Sequence, residues 1–352
     1  MEISSRQALI MEFISNNPDT QTQSIRDYLA KLSGEDISRM TVIRDVEILL
    51  KNKFIQKAGS GRSVAYKVTA KGKLLSPVSE YEAYFQKSPD ERSGAKKSFQ
   101  SEVFKNMEYL FSQKELSNLD KINSDYQKRI SNFSPVALRK EFERLTIELS
   151  WKSSQLEGNT YSLIDTEVLL LQEKEAKGHK REEAIMLINH KKALEYIHEN
   201  AKKFKKITLR DIEDVHSLIV DQLGIKRGLR KNIVGVTGSV YRPLDNEFQI
   251  KEAMEQMVKT ANELPHPLQK TLAFILLLSY IQPFEDGNKR TARLFGNAIL
   301  MANNCCPLSY RSVDEAEYKK AMLLFYEKNS AWMFKKIFTG QFKFAVRNYF
   351  LA

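Results

Sequence analysis

The sequence is poor in the residues that mark secreted and zinc-binding proteins. It has two cysteines among 352 residues, and these are the neighbours Cys305 and Cys306. Adjacent cysteines cannot form an ordinary cross-link within one chain, so we expect reduced thiols. The chain has no His-Glu-x-x-His and no Cys-x-x-Cys motif, which excludes the zinc sites that such spacings build.

Long apolar runs are also missing. The longest, Leu272 to Ile281, is interrupted by Ser279 and is about half the length that a membrane-spanning helix needs. The chain does not open with a basic segment followed by an apolar run and small residues, so no secretory leader is expected. We therefore predict a cytoplasmic protein without a membrane partner.

The chain has an ordinary globular composition and an excess of positive charge. Of the residues, 42% are hydrophobic and 28% are charged, as in ordinary globular proteins. The length of 352 residues is sufficient for two or three domains, each with its own core. Lys and Arg outnumber Asp and Glu by 55 to 44, which gives a net charge of +11. Such an excess suits a partner that carries phosphate groups, but it does not indicate a fold.

The first 75 residues have the pattern of three helices followed by a hairpin. Apolar residues recur at helical spacing in three segments, and the glycine-rich turn Gly59–Arg62 lies between two short β-rich segments. This order predicts a winged helix-turn-helix, in which the third helix enters the major groove of DNA. The predicted helices and strands cover about 5–16, 20–32, 38–51, 54–56 and 64–68.

The third helix and the hairpin carry side chains suited to DNA. Arginine binds guanine edges or phosphates, Ser and Thr bind either, and lysines near the hairpin would bind phosphates. Residues 37–45 resemble the recognition helix of DeoR-type bacterial repressors, which implies a DNA partner. Winged helices that bind proteins or form dimers are the alternative, and a homodimer stays open. The outward residues are Ser38, Arg39, Thr41, Arg44 and Asp45, with Arg62 at the wing tip and Lys57, Lys67, Lys71 and Lys73 nearby.

The rest of the chain is predicted to be helical after a linker. Residues 76–100 contain Ser-Pro and Ser-Gly pairs and one short helix around 81–85. In residues 101–352 the exception to helical spacing is Ile233 to Tyr241, whose β-branched residues and glycines predict a short hairpin. We therefore predict a mainly α chain: a winged helix-turn-helix over 1–75 and an all-helical domain with a small β-hairpin flap over 101–352. Helices are expected from Ser134-Pro135 onward and at about 163–175, 181–204, 208–222, 248–263, 266–281, 288–302 and 313–328.

The segment Gln282–Arg293 carries the strongest functional signal. A tight turn, Asp286–Asn288, begins a helix, and the backbone N–H groups at a helix N-terminus bind anions. Arg290 and Arg293 are three residues apart and therefore lie on the same side of the first turns. Two guanidinium groups beside such a turn favour a polyphosphate, and the Asp286 carboxylate suits magnesium. The alternative is a capping turn with surface arginines.

The same segment resembles the signature of the Fic family. Residues 282–293 read Gln-Pro-Phe-Glu-Asp-Gly-Asn-Lys-Arg-Thr-Ala-Arg. The family pattern is His-Pro-Phe-x-(Asp/Glu)-Gly-Asn-(Gly/Lys)-Arg-x-x-Arg, which differs only at the first position. The resemblance extends over residues 100–350: Ser153–Asn159 resembles the family's inhibitory motif, and the stretch from Gly228 to Pro243 resembles its target-binding flap.

This resemblance implies transfer of AMP from ATP, with magnesium, to a hydroxyl group of a target protein. Phe284 would anchor the loop in the core, Asp286 would hold magnesium, and Arg290 and Arg293 would clamp the β- and γ-phosphates. The implied nucleotide-binding residues are Phe284, Gly287, Asn288, Lys289, Arg290 and Arg293. The implied catalytic positions are Gln282, Asp286, Asn288, Arg290 and Arg293.

The resemblance also implies a brake and a target-binding segment. Glu157 would pair with Arg293 and divert it from ATP, and the flap would hold an extended target segment by strand addition. The implied inhibitory residues are Ser153, Glu157 and Gly158. The implied flap residues are Val234, Gly235, Val236, Thr237 and Tyr241.

One position departs from the family. Gln282 stands where the family has its catalytic histidine, and a glutamine amide has no basic lone pair on nitrogen. Since a positioned general base contributes ~10²–10⁴-fold, we expect impaired catalysis. None of the five histidines lies in the motif, and each is predicted to be a surface or packing residue. Three functions stay open: an impaired AMP transferase restrained by Glu157, an ATP-sensing DNA-binding regulator without transferase activity, and removal of AMP from modified proteins.

Overall fold

The computed structural model describes residues 3–17, 19–59, 64–78 and 81–351, and these are mostly helical, as predicted. Within these residues the strands are β1 (Ile55–Ala58) and β2 (Ala65–Val68), and 3-10 turns cover Pro89–Glu91, Met107–Tyr109 and Ala201–Lys205. The α-helices are α1 (Ser5–Asn16), α2 (Thr22–Ser33), α3 (Arg39–Lys51), α4 (Ala70–Leu75), α5 (Tyr81–Gln86), α6 (Val103–Asn106), α7 (Gln113–Ser131), α8 (Pro135–Gln155), α9 (Leu163–Gln172), α10 (Arg181–Glu199), α11 (Leu209–Ile219), α12 (Glu247–Glu263), α13 (Pro267–Ile281), α14 (Asn288–Ala302), α15 (Glu315–Lys328) and α16 (Trp332–Asn348).

Local signals set the ends of the first helices. A capping box of Ser4 and Gln7 begins α1, and Gly34, with a φ of +71°, ends α2. Ser38 caps α3, because its Oγ accepts a hydrogen bond from the Thr41 backbone N–H at 3.2 Å. The antiparallel hairpin β1–β2 follows, as predicted. Arg62, which the sequence places at the tip of the turn, lies outside the described residues.

The chain divides into two compact units, the first of which comprises Met1–Lys96, Gly238–Val240 and Leu323–Met333. Within it, the fully buried Glu327 accepts hydrogen bonds from Tyr84 Oη at 2.7 Å and from Arg92 Nη1 at 2.9 Å. These contacts pack α5 and the residues after it into the first unit, whereas the sequence predicts a linker there. The segment is ordered because its residues have buried partners that are distant in the sequence. The composition of the segment does not reveal such partners.

The second unit comprises Lys97–Thr237, Tyr241–Met322 and Phe334–Ala352. Its central helix is α13, in which every residue from Thr271 to Ile281 is buried. α14 packs closely on it at Gly296, where a Cβ would lie 2.9 Å from Ile275 Cδ1. Among the described residues no helix is both long and apolar enough to cross a membrane. Cys305 and Cys306 are free and buried.

Several predicted segments end elsewhere or have another structure. α9 stops at Gln172 because Glu173 adopts a φ of +56°, and the helix predicted over 181–204 stops at Glu199 before a 3-10 turn. The hairpin predicted from Ile233 to Tyr241 is wrong: these residues form a turn without paired strands. The backbone N–H of Arg242 instead donates to the Lys97 carbonyl at 2.9 Å, so the extended segment pairs with a distant part of the unit.

Candidate functional site

The loop between α13 and α14 is held in one conformation by its own residues. Gln282 ends α13 with a φ of +52°, and Gly287 precedes α14 with a φ of +80°. A Cβ at Gly287 would also lie 3.2 Å from Val220 Cγ1, so both backbone and space favour glycine. Asn288 closes the loop, because its side chain donates to the Phe284 carbonyl and accepts from the Phe284 N–H, both at 2.9 Å.

Phe284 and His216 support this loop from the core. Phe284 is fully buried, and its ring stacks on His216 with 3.7 Å between centroids. His216 Nε2 donates to the Asp286 carbonyl at 3.0 Å, while burial lowers the pKa of His216 to about 4 and keeps the ring neutral at pH 7. The sequence predicts a packing or surface role for His216, and its support of the loop depends on a contact across 70 positions.

Arg290 is buried with part of its guanidinium unpaired. Its residue exposure is 1%, so the alternative of a surface arginine is wrong here. Nη2 donates to Asp286 Oδ2 at 2.9 Å, whereas Nε and Nη1 are buried and have no hydrogen-bond partner in the described part of the chain. Burial lowers the pKa of Arg290, and unpaired buried donors are costly. Three N–H groups, one on Nε and two on Nη1, therefore have no acceptor among the residues that the structure describes.

Arg293, by contrast, is fully buried and fully paired. Its Nη2 donates to Glu157 Oε1 and to the Ser153 carbonyl, both at 2.8 Å, and its Nε donates to Ser153 Oγ at 2.9 Å. Tyr318 Oη accepts from Nη1 at 3.4 Å. The structure thus brings α8 and the turn that follows it against α14. Glu157 and Arg293, which meet here, are 136 positions apart in the sequence.

Glu157 lies between two positive side chains. Besides Arg293, Lys289 contributes its Nζ at 3.6 Å from Glu157 Oε2, so this predicted nucleotide-binding lysine faces the carboxylate. Burial raises the pKa of Glu157, but the charges of Arg293 and Lys289 outweigh it and hold the pKa below its ordinary value. Gly158 follows with a φ of +95° and lets the chain turn away from α8. Glu157 is therefore an anion at neutral pH.

Gln282 is tied to the backbone around it. Its side-chain Nε2 donates to the Ser279 carbonyl at 2.6 Å, and its backbone carbonyl accepts from Arg230 Nε at 2.6 Å. Arg230 is buried, and its backbone N–H also donates to the Pro283 carbonyl at 2.9 Å. Arg230 thus joins the start of the motif to the stretch that resembles the flap. In the sequence, the position of Arg230 within that stretch is the single indication of this role.

The predicted flap residues divide into two groups. Gly235 and Thr237 are exposed and Val234 and Val236 are half-buried, so they remain candidates for contact with a target. Tyr241 is a core residue: it is 1% exposed, and its Oη donates to the Tyr280 carbonyl at 2.8 Å. It anchors the end of the stretch instead of facing a target.

Asp286 is the candidate magnesium ligand. Among the described residues no group of three or more His, Cys, Asp and Glu side chains could hold a metal ion. The Asp286 side chain is 65% exposed, and its Oδ1 accepts from the Gly287 N–H at 2.6 Å. Magnesium often takes one or two carboxylates and completes its shell with substrate phosphates and water. The residues therefore fit a magnesium ion that arrives with a polyphosphate.

The predicted DNA-binding side chains of α3 differ in their availability. Arg39 and Arg44 are exposed. Ser38 and Thr41 hydrogen-bond each other through their hydroxyls at 2.9 Å while Ser38 caps the helix. The two arginines are thus the better placed of the four for contact with a partner.

Asp45 corrects the prediction, and Lys67 has an acidic neighbour. Asp45 is buried, not outward, because Arg6 Nε lies 2.5 Å from its Oδ2. Lys67, predicted to bind phosphate, lies with its Nζ 3.1 Å from Asp19 Oδ1. The first contact joins α3 to α1, and the second joins β2 to a residue between α1 and α2. The helical spacing within α3 reveals neither of them.

Comparisons with known proteins show a family match and several similar proteins. The Fic/DOC family model matches residues 206–300. A protein adenylyltransferase Fic of Nematostella vectensis is 28% identical over 205 residues, covering 57% of this chain and 48% of that protein. The Drosophila ananassae protein of the same name is 25% identical over 188 residues, covering 53% and 38%. The chain thus spans about half or less of the length of the curated relatives it matches.

Solved structures show a similar fold. A Fic domain containing signaling protein from Bacteroides thetaiotaomicron matches with a TM-score of 0.56 and 21% identity, covering 65% of this chain and 94% of that one. Fic-1 from C. elegans matches with a TM-score of 0.56 and 21% identity, covering 70% and 80%. The matched region 206–300 includes the loop, Arg290 and Arg293. Residues 206–300 are therefore similar to the Fic/DOC family.

Proposed function

We propose that this chain is a Fic-type protein adenylyltransferase that binds ATP with magnesium, is restrained by Glu157 and transfers AMP poorly because Gln282 replaces the general base. The observation that carries the proposal is the buried Arg290, whose Nε and Nη1 have no hydrogen-bond partner among the described residues. The curated relatives are named protein adenylyltransferases, which supports the same reaction.

The start of α14 supports a polyphosphate. Gly287 provides no side-chain cap, so the first N–H groups of α14 have no capping acceptor on the preceding residue. Such a helix N-terminus attracts anions, and a guanidinium with free N–H groups binds phosphate oxygens by short charge-assisted bonds. Arg290 would bind a phosphate, and Asp286 would hold magnesium against it.

Calorimetry with ATP and AMP in the presence of magnesium tests this assignment. ATP is expected to bind saturably and AMP much more weakly, since AMP lacks the phosphates that Arg290 and α14 would hold. A folded protein that binds neither ligand, or both alike, would contradict the proposal.

Glu157 is proposed as the brake because it occupies a donor of Arg293. We expect Glu157→Gly to tighten ATP binding about ten- to hundredfold, the effect of one hydrogen bond between charged groups at ~1.5–3 kcal/mol. Glu157→Gln is the matched control: it keeps the shape and removes the charge, and it should give an intermediate gain. Calorimetric dissociation constants check the order. Equal affinity in all three proteins would show that Glu157 does not restrain ATP binding.

DNA binding by the first unit is a second candidate function, favoured by the exposed Arg39 and Arg44 on α3. We expect the full chain to bind duplex DNA and to lose affinity steeply as salt rises, because neutralised phosphates release counterions. Arg44→Ala should relax sequence preference, whereas Lys57→Ala should weaken binding to all sequences alike. Mobility shifts over a salt series measure both. Retention of no genomic DNA at low salt would point instead to a protein-binding module.

A further inference from the structure

We propose that His190 is a positioning residue that holds Arg293 through Ser153 and so helps keep this guanidinium in its Glu157-bound position. The proposal rests on the proposed function for its consequence, but the hydrogen-bond relay stands on contacts of its own. The relay joins three helices: α10 supplies His190, α8 supplies Ser153, and α14 supplies Arg293.

The direction of each hydrogen bond follows from what each group can do. His190 Nδ1 lies 2.8 Å from the Met186 carbonyl, which only accepts, so Nδ1 carries the proton. Nε2, 3.0 Å from Ser153 Oγ, is therefore the bare nitrogen of the neutral ring and accepts the hydroxyl proton. The Ser153 oxygen keeps its lone pairs for Arg293 Nε–H at 2.9 Å. The relay runs in one direction, from the guanidinium to the Met186 carbonyl.

The surroundings keep His190 neutral. His190, Ser153 and Arg293 are each 0% exposed. Burial first, and then the positive charge of Arg290, lower the pKa of His190 to about 3, although Glu157 acts in the opposite sense. The Nδ1–H form should therefore persist through the physiological pH range.

Loss of the acceptor on His190 would weaken the hold on Arg293. The Ser153 O–H would have to stay unpaired in a buried place or turn toward Arg293 Nε–H, and a buried unpaired hydroxyl is costly. In the proposed function, Arg293 is shared between Glu157 and the terminal phosphate of ATP. A less firmly held Arg293 should therefore bind that phosphate more readily.

The first test reads the relay itself. In ¹⁵N spectra of the full chain, His190 should show the Nδ1–H tautomer without titration between pH 5.5 and 8, and Arg293 Nε–H should exchange slowly. The Arg293 signal should exchange faster in His190→Leu. His190→Gln, which restores an acceptor oxygen, should recover protection at least in part. His198→Leu, on the exposed end of α10, is the matched control and should leave the signal unchanged.

The second test reads the consequence. His190→Leu should tighten ATP binding about three- to tenfold, the effect of one neutral hydrogen bond, and His190→Gln should stay near the starting chain. An Nε2–H tautomer, or equal Arg293 protection in the Leu variant and the starting chain, would overturn the relay. If the spectra confirm the relay but His190→Leu and His190→Gln bind ATP equally well, the relay has no effect on how Arg293 binds ATP. If no variant binds ATP, the proposed function fails while the spectra still decide the relay.

Discussion

Gln282→His is expected to raise AMP transfer ~10²–10⁴-fold, the contribution of a positioned general base. The Gln282 side chain now donates through Nε2 to the Ser279 carbonyl at 2.6 Å. A histidine there can give its Nδ1–H to the same carbonyl and leave Nε2 bare to take the proton from a target hydroxyl. Incorporation of label from α-labelled ATP into lysate proteins, or into the chain itself, measures the gain.

The same measurement with Glu157→Gly separates the base from the brake. Glu157→Gly alone should tighten ATP yet give little transfer, since Gln282 cannot accept the proton. Gln282→His alone should give partial transfer, because Arg293 is still paired with Glu157 at 2.8 Å. The double variant should transfer most. Gln282→Ala is the control for loss of the glutamine without gain of a base, and it should transfer AMP as poorly as the starting chain. A double variant no more active than the starting chain would contradict the assignment of the motif or of the brake.

Arg290→Ala is expected to weaken ATP binding by at least about a hundredfold. The change removes a guanidinium of which two nitrogens have no partner within the described parts of the chain, and hydrogen bonds to charged groups contribute ~1.5–3 kcal/mol each. Calorimetry with ATP and magnesium measures the loss. Arg290→Lys should retain part of the affinity, because an ammonium supplies the charge but not the fork of donors.

The fold should survive this change, since it removes buried donors that have no partner among the described residues, and such donors are costly. Thermal unfolding of Arg290→Ala should therefore match that of the starting chain. Arg227→Ala is the matched control: its side chain is 63% exposed and pairs with Asp221 at the surface, so ATP affinity should not change. Unaltered affinity in Arg290→Ala would place the nucleotide elsewhere.

The local structure around the site could be predicted from the sequence. Apolar spacing and the tight turn predict bounds for α13, the loop and α14 that are close to the observed ones. This is because helix periodicity and turn chemistry depend on residues that are near one another in the sequence. The hairpin predicted from Ile233 to Tyr241 failed for the opposite reason. Branched residues and glycines permit strands, but pairing needs a partner, and here Arg242 pairs with Lys97.

Sequence patterns alone were enough to predict that the chain is mainly helical and that a tight turn begins a helix with two arginines. The packing of the helices was needed to show that Arg290 keeps donors unpaired among the described residues while Arg293 is enclosed by Ser153 and Glu157. It also decided that His190 contacts Ser153 and that His216 supports the loop. Helix caps, tight turns and hydrophobic periodicity depend on residues that are only a few positions apart in the sequence. Burial and hydrogen-bond direction, in contrast, depend on which helices pack together across more than a hundred residues.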